Sequence, residues 1–327
     1  MKILLVRVSS LGDVLHNLPM VADILRRHPG ATIDWVVEEG YVSLVRLNPH
    51  VRKIFPWALR RWRKSLGKAA TRAEIKAFFR NLREEEYDYV FDTQGLLKTG
   101  VIMGAARVRK GGKKVGLANG SEGSGYEGVS RIFHTDSIPL DPRTHAVARG
   151  RMVAGAALGY AVDSAPDFGL PAPRADSRPA FLPAEDYAVF FHGTARAAKK
   201  WADANWIALG HALAPLPVLL PWGSAQEHED AQALAAHIPN ARVLPKLSMM
   251  DAVAVAQHAA LAVGVDTGLT HIAAAFVRPT VEIYCDSPKW KTEGNWSGRI
   301  VNLGDLGSPP SSDEVIAAAR RLLEQRP

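Results

Sequence analysis

The sequence predicts an α/β protein built from two doubly wound parallel sheets, and three observations carry that expectation. Apolar runs of strand length alternate with segments of helical period along most of the chain. The alternation stops across residues 164–186, where Pro, Ala and Asp crowd a stretch without periodicity, and then restarts. At 327 residues, the chain is long enough for two domains of ordinary size.

The first element is "MKILLVRV", an apolar run that reads as a buried strand. A small polar turn holding Ser9, Ser10, Gly12 and Asp13 leads from it into a helical pattern over 14–27. "ATIDWVV" and "YDYVFDTQG" read as further strands, and 71–85 and 144–157 as helices. After the gap come the strand "YAVFFHG", a helix near 203–214, the strand "PVLLPWG" and a helix near 225–237. The strand "LAVGVDTG", a helix from about 269, the strand "PTVEIYC" and an amphipathic helix over 312–325 complete the pattern. The expected organisation is an N-terminal domain over 1–163, a linker over 164–186 and a C-terminal domain over 187–327. The last helix either stays with the C-terminal domain or packs back on the N-terminal one. Two such domains would face a central cleft lined by the carboxyl ends of their strands, where open α/β sheets bind their ligands.

Composition narrows the class. Apolar residues make up 47% and charged residues 22%, the balance of a soluble globular protein. No run approaches the roughly 20 apolar residues that span a bilayer. The N-terminus shows no secretory cleavage pattern, and the single Cys285 excludes an intrachain disulfide, so the expected compartment is the cytoplasm. The formal charge of +7 is uneven. Residues 1–162 carry 26 Lys and Arg against 15 Asp and Glu, and the remainder 14 against 18. A basic front half suits an acidic ligand, a nucleic acid or an anionic membrane surface.

Several strand ends carry candidate chemistry, each with a plainer alternative. Asp13 suits a helix N-cap region, and equally a carboxylate base at a strand end. "FFHGTARAAKKW" offers Thr194, Arg196, Lys199 and Lys200 after a strand, where a lysine aimed at a leaving diphosphate would lower its barrier. A solvated basic loop is the alternative. Glu227 in "LPWGSAQEHEDA" could accept both hydroxyls of a ribose, or only favour the first turn of its helix. In "AVGVDTGLTHIAAA" a strand ends at Asp266, Thr267 and Gly268, and a helix opens. Its amides, the Thr267 and Thr270 hydroxyls and His271 could receive a phosphate, or form an ordinary capped helix. "WALRRWRKSLGKAATR" groups Arg60, Arg61, Arg63, Lys64, Lys68 and Arg72 around Trp57 and Trp62, as nucleic acid or a phosphate-rich membrane interface would favour. "RVRKGGKK", residues 107–114, adds a second basic cluster that could be only a solvated face. "GSGYEG", residues 123–128, matches G-x-G-x-x-G in letters, but no strand precedes it and no helix opens on it, so it reads as a mobile loop. There is no Walker A sequence, no H-E-x-x-H and no Asp-x-Asp of the kind that holds a metal-diphosphate.

Together, "SSLGDVLH", "DWVVEEGY", "DTQGLLKT", "KKW", "LPWG" and "VDTGLTHIAAA", in this order and spacing, resemble the lipopolysaccharide heptosyltransferases, specifically the heptosyltransferase I group. The resemblance runs from Met1 to about Ile283. It implies the glycosyltransferase B-type fold and inverting transfer of L-glycero-D-manno-heptose from ADP-heptose to the first Kdo of Kdo2-lipid A. It implies no obligatory metal and no cofactor beyond the donor. It makes Asp13 the base, places Lys199, Thr267 and Gly268 around the diphosphate with His271 and Thr194 beside them, and puts Asp266 near the heptose. Glu227 becomes the ribose contact, and Arg60, Arg61, Arg63 and Lys64 an acceptor-phosphate loop. Such an enzyme works peripherally at the cytoplasmic face of the inner membrane and needs no nucleic acid. Two stretches depart from the family pattern. Residues 117–128 bear on the acceptor site, and 286–296 on the donor pocket. The competing expectations are a heptosyltransferase for a later core sugar and a non-catalytic basic nucleic-acid-binding protein.

Overall fold

Strand β1 (Lys2–Val6) is apolar on both faces because it is the third of six parallel strands, covered on each side. Its neighbours are β2 (Thr32–Glu38) and β4 (Glu86–Asp92), both paired to it in parallel. With β3 (Val51–Trp57), β5 (Arg107–Leu117) and β6 (Asp136–Ile138), the sheet runs β3–β2–β1–β4–β5–β6. The computed structural model describes residues 1–172 and 178–325.

The second sheet repeats this order. β7 (Ala188–Phe191), β8 (Val218–Leu220), β9 (Ala241–Val243), β10 (Leu261–Val265), β11 (Thr280–Tyr284) and β12 (Ile300–Gly304) run β12–β11–β10–β7–β8–β9, all parallel. In each sheet the first and fourth strands lie side by side, and the connections leave them in opposite directions. That reversal opens a crevice at the carboxyl ends of the pair, the usual ligand position in this architecture. The expected fold class, α/β with two doubly wound domains, is what is observed.

Several local expectations are corrected. The helix expected over 14–27 is two helices, Leu11–His16 and Pro19–Arg27, because Pro19 lacks the N–H a continuous helix would use and starts the second instead. The chain divides into units 1–169 and 170–327, a boundary that falls inside the expected linker 164–186. Residues following the first unit's last helix, Ala146–Leu158, are tied down. Asp163 pairs with Arg27, Ser164 accepts from Arg151, and the Phe168 ring is buried. Arg151 in turn forms a buried pair with Asp23, 2.6 Å, locking that helix onto Pro19–Arg27. Residues 173–177 of the expected linker lie outside the described residues. The final helix, Ser312–Glu324, packs on β10, β11 and β12 of its own unit and on helix Asp203–Leu213.

Candidate active site

In the first unit, the switch point between β1 and β4 holds Asp13. It sits at the third position of helix Leu11–His16, and its Oδ2 accepts from the Ser10 amide at 3.0 Å and the Ser10 hydroxyl at 2.9 Å. The plainer role expected of Asp13, serving the helix start, is therefore present. Its Oδ1 lies 2.5 Å from Arg7 Nη2, with the Asp13 side chain 37% exposed and that of Arg7 13%. Burial pushes the carboxyl up, but the Arg7 guanidinium, the two Ser10 bonds and His16 outweigh it and hold the value down at about 2. Asp13 is thus an ionised acceptor at neutral pH.

The turn after β4 completes this region. Arg7 Nη1 donates to the Thr93 carbonyl. Gln94 Oε1 accepts from the Val8 amide at 3.0 Å, and Lys98 Nζ lies 3.4 Å from Ser9 Oγ. Lys98 is held below the usual lysine range by partial burial and by the charges of Arg60 and Arg63, which puts these cations on one electrostatic rim.

The basic stretch 57–72 differs from expectation. Trp57 and Trp62 are 5% and 2% exposed and pack edge to face at 5.0 Å, with Phe78 against both. They are core, neither a membrane anchor nor a stacking platform for bases. Arg61 is held by Glu39 and Glu74, with contacts of 2.6 to 3.2 Å from its Nε, Nη1 and Nη2. Its charge is matched within the fold, which sets it apart from the other three cations of the expected acceptor set. Arg60, Arg63 and Lys64 are exposed, and among the described residues they form no ion pair. In the second cluster, Arg107, Arg109 and Lys113 pair with Glu86, Asp88 and Asp136, as a solvated face would.

In the second unit, the switch point between β7 and β10 gathers the residues expected on the donor side. Asp266 follows β10, and its side chain is 9% exposed. Its Oδ2 lies 2.5 Å from Lys199 Nζ, and its Oδ1 accepts from His271 Nε2 at 3.0 Å and Thr292 Oγ1 at 3.2 Å. Burial works against this carboxylate, yet His271 and Lys199 hold it well below the usual carboxylate range. Thr267 caps helix Gly268–Ala275 through its backbone, with its hydroxyl left out of the cap. The basic run after β7 is no free loop. Lys199 meets Asp266, Lys200 meets Asp230 at 2.5 Å, and Arg196 meets Asp286 at 2.6 Å. Glu227 Oε2 accepts from the Gly223 and Ser224 amides at 2.7 and 3.0 Å, while Oε1 lies against Gly193, which has no side chain to exclude it.

A family model described as glycosyltransferase family 9 (heptosyltransferase) matches residues 75–316. The chain belongs to this family. It is 40% identical over 288 residues to lipopolysaccharide heptosyltransferase 1 of Pseudomonas aeruginosa, covering 87% of this chain and 78% of that protein. It is 36% identical to the protein of the same name from Escherichia coli K12, covering 87% and 88% respectively. The structure of the E. coli heptosyltransferase with ADP matches it with a TM-score of 0.84 at 32% identity, over 98% of this chain and all of that one.

This heptosyltransferase therefore gathers its expected site residues at two strand-end crevices. Asp13 stands in one. Lys199, Asp266, Thr267, Gly268 and His271 stand in the other, with Thr194 and Glu227 following the adjacent β7 and β8. One expectation there fails: Thr270 is buried and donates to the Val265 carbonyl at 2.8 Å, so its hydroxyl is spent on the fold. Sequence reasoning missed Arg7, Gln94 and Glu282. Glu282 had a signal, a carboxylate in the middle of the apolar run "PTVEIYC". Arg7 and Gln94 had none beyond lying at strand ends.

Proposed function

We propose that this family 9 enzyme transfers L-glycero-D-manno-heptose from ADP-heptose to the first Kdo of Kdo2-lipid A, with inversion and without a metal. The observation that carries the donor side is the Lys199–Asp266 pair beside the open amide end of helix Gly268–Ala275. Helix-end amides and a lysine suit a diphosphate, while the Asp266 carboxylate suits sugar hydroxyls. Glu227 Oε1 is the ribose acceptor. The acceptor hydroxyl attacks the anomeric carbon as the bond to the β-phosphate oxygen breaks, and ADP leaves with the electron pair. Asp13 takes the hydroxyl proton. A carboxylate as acidic as Asp13 takes it late, once the attacking oxygen has become acidic through bonding to the anomeric carbon. Charge growing on the leaving diphosphate is met by Lys199 and the helix amides.

Arg60, Arg63, Lys64 and Lys98 form the acceptor rim in this reading, matched to the acceptor's phosphates and carboxylates. The lipid part of the acceptor places the reaction at the cytoplasmic face of the inner membrane, with the protein bound peripherally. Among the described residues no helix is long and apolar enough to cross a membrane. Purified protein, ADP-heptose and Kdo2-lipid A, with UDP- and GDP-sugars as controls, test the proposal. Turnover with ADP-heptose alone is expected. Turnover on an already heptosylated acceptor with none on Kdo2-lipid A would move the assignment to a later core sugar.

A further inference from the structure

His271 has a second partner that the donor reading does not use. Glu282, in the middle of β11 and fully buried, places Oε1 2.8 Å from His271 Nδ1. The opposite nitrogen, Nε2, lies 3.0 Å from Asp266 Oδ1. A neutral imidazole carries one N–H, so it can serve one of these carboxylates and must turn a lone pair toward the other. Two carboxylate acceptors on one ring call for both nitrogens to be protonated. The remaining Glu282 oxygen is filled by donors, Tyr284 OH at 2.9 Å and the Gly294 amide at 2.8 Å. Burial by itself would strip the ring of charge, but Glu282 and Asp266 outweigh it and hold His271 up at about 10. The titratable groups along this chain of contacts are Lys199, Asp266, His271, Glu282 and Tyr284. Thr292 and Gly294, which close it, come from the stretch 286–296 that follows β11.

We infer that Glu282 is a positioning residue that fixes His271 as an imidazolium bound to Asp266, leaving Lys199 as the cation free to leave Asp266 for the donor's diphosphate. The inference rests on the ADP-heptose reading above. Exposure separates the two cations: the Lys199 side chain is 19% exposed, that of His271 3%. When Lys199 turns to a phosphate, Asp266 keeps His271 and Thr292 as donors and is not left a buried, unpaired charge. Without Glu282 the ring loses one of the two carboxylates that raise it and gives up its second proton at a lower pH. Asp266 would then retain Lys199, and the diphosphate would meet one cation fewer.

Nitrogen NMR of histidine-labelled wild-type protein at pH 8.5 reads the ring directly, with the His271 signals assigned by their loss in H271Q. Both nitrogens protonated is the expected result, and a neutral tautomer overturns the inference. Calorimetry with ADP then compares E282Q with wild type, as a ratio that cancels the titration of ADP itself. The ratio of dissociation constants is expected near one at pH 6.5. At pH 8.5 it should rise about tenfold, the order of one charge-assisted hydrogen bond. E282D should restore it in part. A ratio that does not change with pH overturns the inference. Should E282Q not fold, the wild-type NMR result decides alone. Should wild type not bind ADP, the donor reading fails, and the NMR result still decides the state of the ring.

Discussion

Asp92 and Asp266 stand at the same place in their two sheets, at the carboxyl end of the fourth strand, and each is followed by threonine. Their surroundings are opposite. Asp92 is fully buried and accepts from the Gln94 and Gly95 amides and the Thr99 hydroxyl, at 2.8 to 3.1 Å, all neutral donors within seven residues. Burial dominates and pushes its carboxyl up. Asp266 draws a lysine from 67 residues away and a histidine from the following helix, and these cations hold it down. The place in the topology marks where a site can form. The charge of the neighbours decides whether the aspartate there only shapes a loop or stays ionised among cations, as the proposed donor site needs. Asp92 acts on the first site only at one remove, by shaping the turn whose Gln94 holds the Val8 amide beside Asp13.

The largest expected effect tests whether the chemistry of the first sheet belongs to Asp13 rather than Asp92. Asp13→Ala should lower turnover on the order of 100- to 10,000-fold, the usual span for a lost general base. ADP affinity should hold, because the proposed diphosphate site lies in the second unit. Near-normal turnover in the folded variant would remove Asp13 from the mechanism.

Matched asparagine substitutions break the comparison itself. Asp266→Asn frees Lys199, so ADP should bind at least as tightly while turnover falls about 10- to 100-fold. Lys199→Ala should lower both. Asp92→Asn should leave ADP affinity alone and cost about 1–3 kcal/mol of stability, because the buried turn loses a carboxylate oxygen that accepts from the Thr99 hydroxyl. Turnover assays, calorimetry with ADP and denaturant midpoints on the three proteins read all of these. Equal loss of ADP binding in Asp92→Asn and Asp266→Asn would erase the distinction.

The two regions should also differ in how pH affects stability. The His271 value is raised in the folded protein to about 10 from an ordinary 6.5. Its contribution is therefore whole below pH 6.5 and is lost as pH rises toward and through 10. Relative to H271Q, wild-type unfolding midpoints should decline over that window. A constant difference would mean the ring is not charged in the fold.

What could be read from the sequence follows from where each signal comes from. β1 is apolar on both faces, β2 carries Ile33, Trp35 and Val37 on one face and β4 carries Tyr87, Tyr89 and Phe91 on one face, and such runs are visible without a partner. β3 carries Arg52, Lys53 and Pro56, which an edge strand tolerates but which break the apolar run that marks a strand in the sequence. β5 interrupts its pairing between Tyr87 and Tyr89, where Arg109–Gly112 have no partner and Gly111 takes φ +80, hiding the strand inside a charge cluster. Site residues at strand ends were legible one by one. Their pairings were not, since Lys199 finds Asp266, 67 residues away, only once β7 and β10 lie side by side, and Arg7 finds Asp13 only through the turn that follows β1. The Trp57 and Trp62 error has the same origin. A run of basic letters shows the charge of a segment but not that both indoles turn inward onto Phe78.

The smallest effect concerns that basic segment, where Arg61 and its neighbours now part company. Arg60, Arg63 and Lys64 are exposed and form no ion pair among the described residues, whereas Arg61 bridges Glu39 and Glu74. Replacing Arg60, Arg63 and Lys64 together with Ala should raise the acceptor KM several-fold and leave kcat and ADP affinity near wild type. Exposed charge pairs are worth at most about 1 kcal/mol each and are screened over roughly 8 Å at physiological salt, so the KM difference should shrink as salt is added. Arg61→Ala should do the reverse. It strands two carboxylates on neighbouring elements, lowering the unfolding midpoint with little change in acceptor KM once the protein is folded. Kinetics on acceptor micelles at two salt concentrations, with an oligonucleotide titration alongside, separate the outcomes. A triple variant that loses oligonucleotide binding but keeps the wild-type acceptor KM would mean that these three cations serve nucleic acid and not the acceptor. A salt-sensitive rise in acceptor KM for Arg61→Ala equal to that of the triple variant would return Arg61 to the acceptor set.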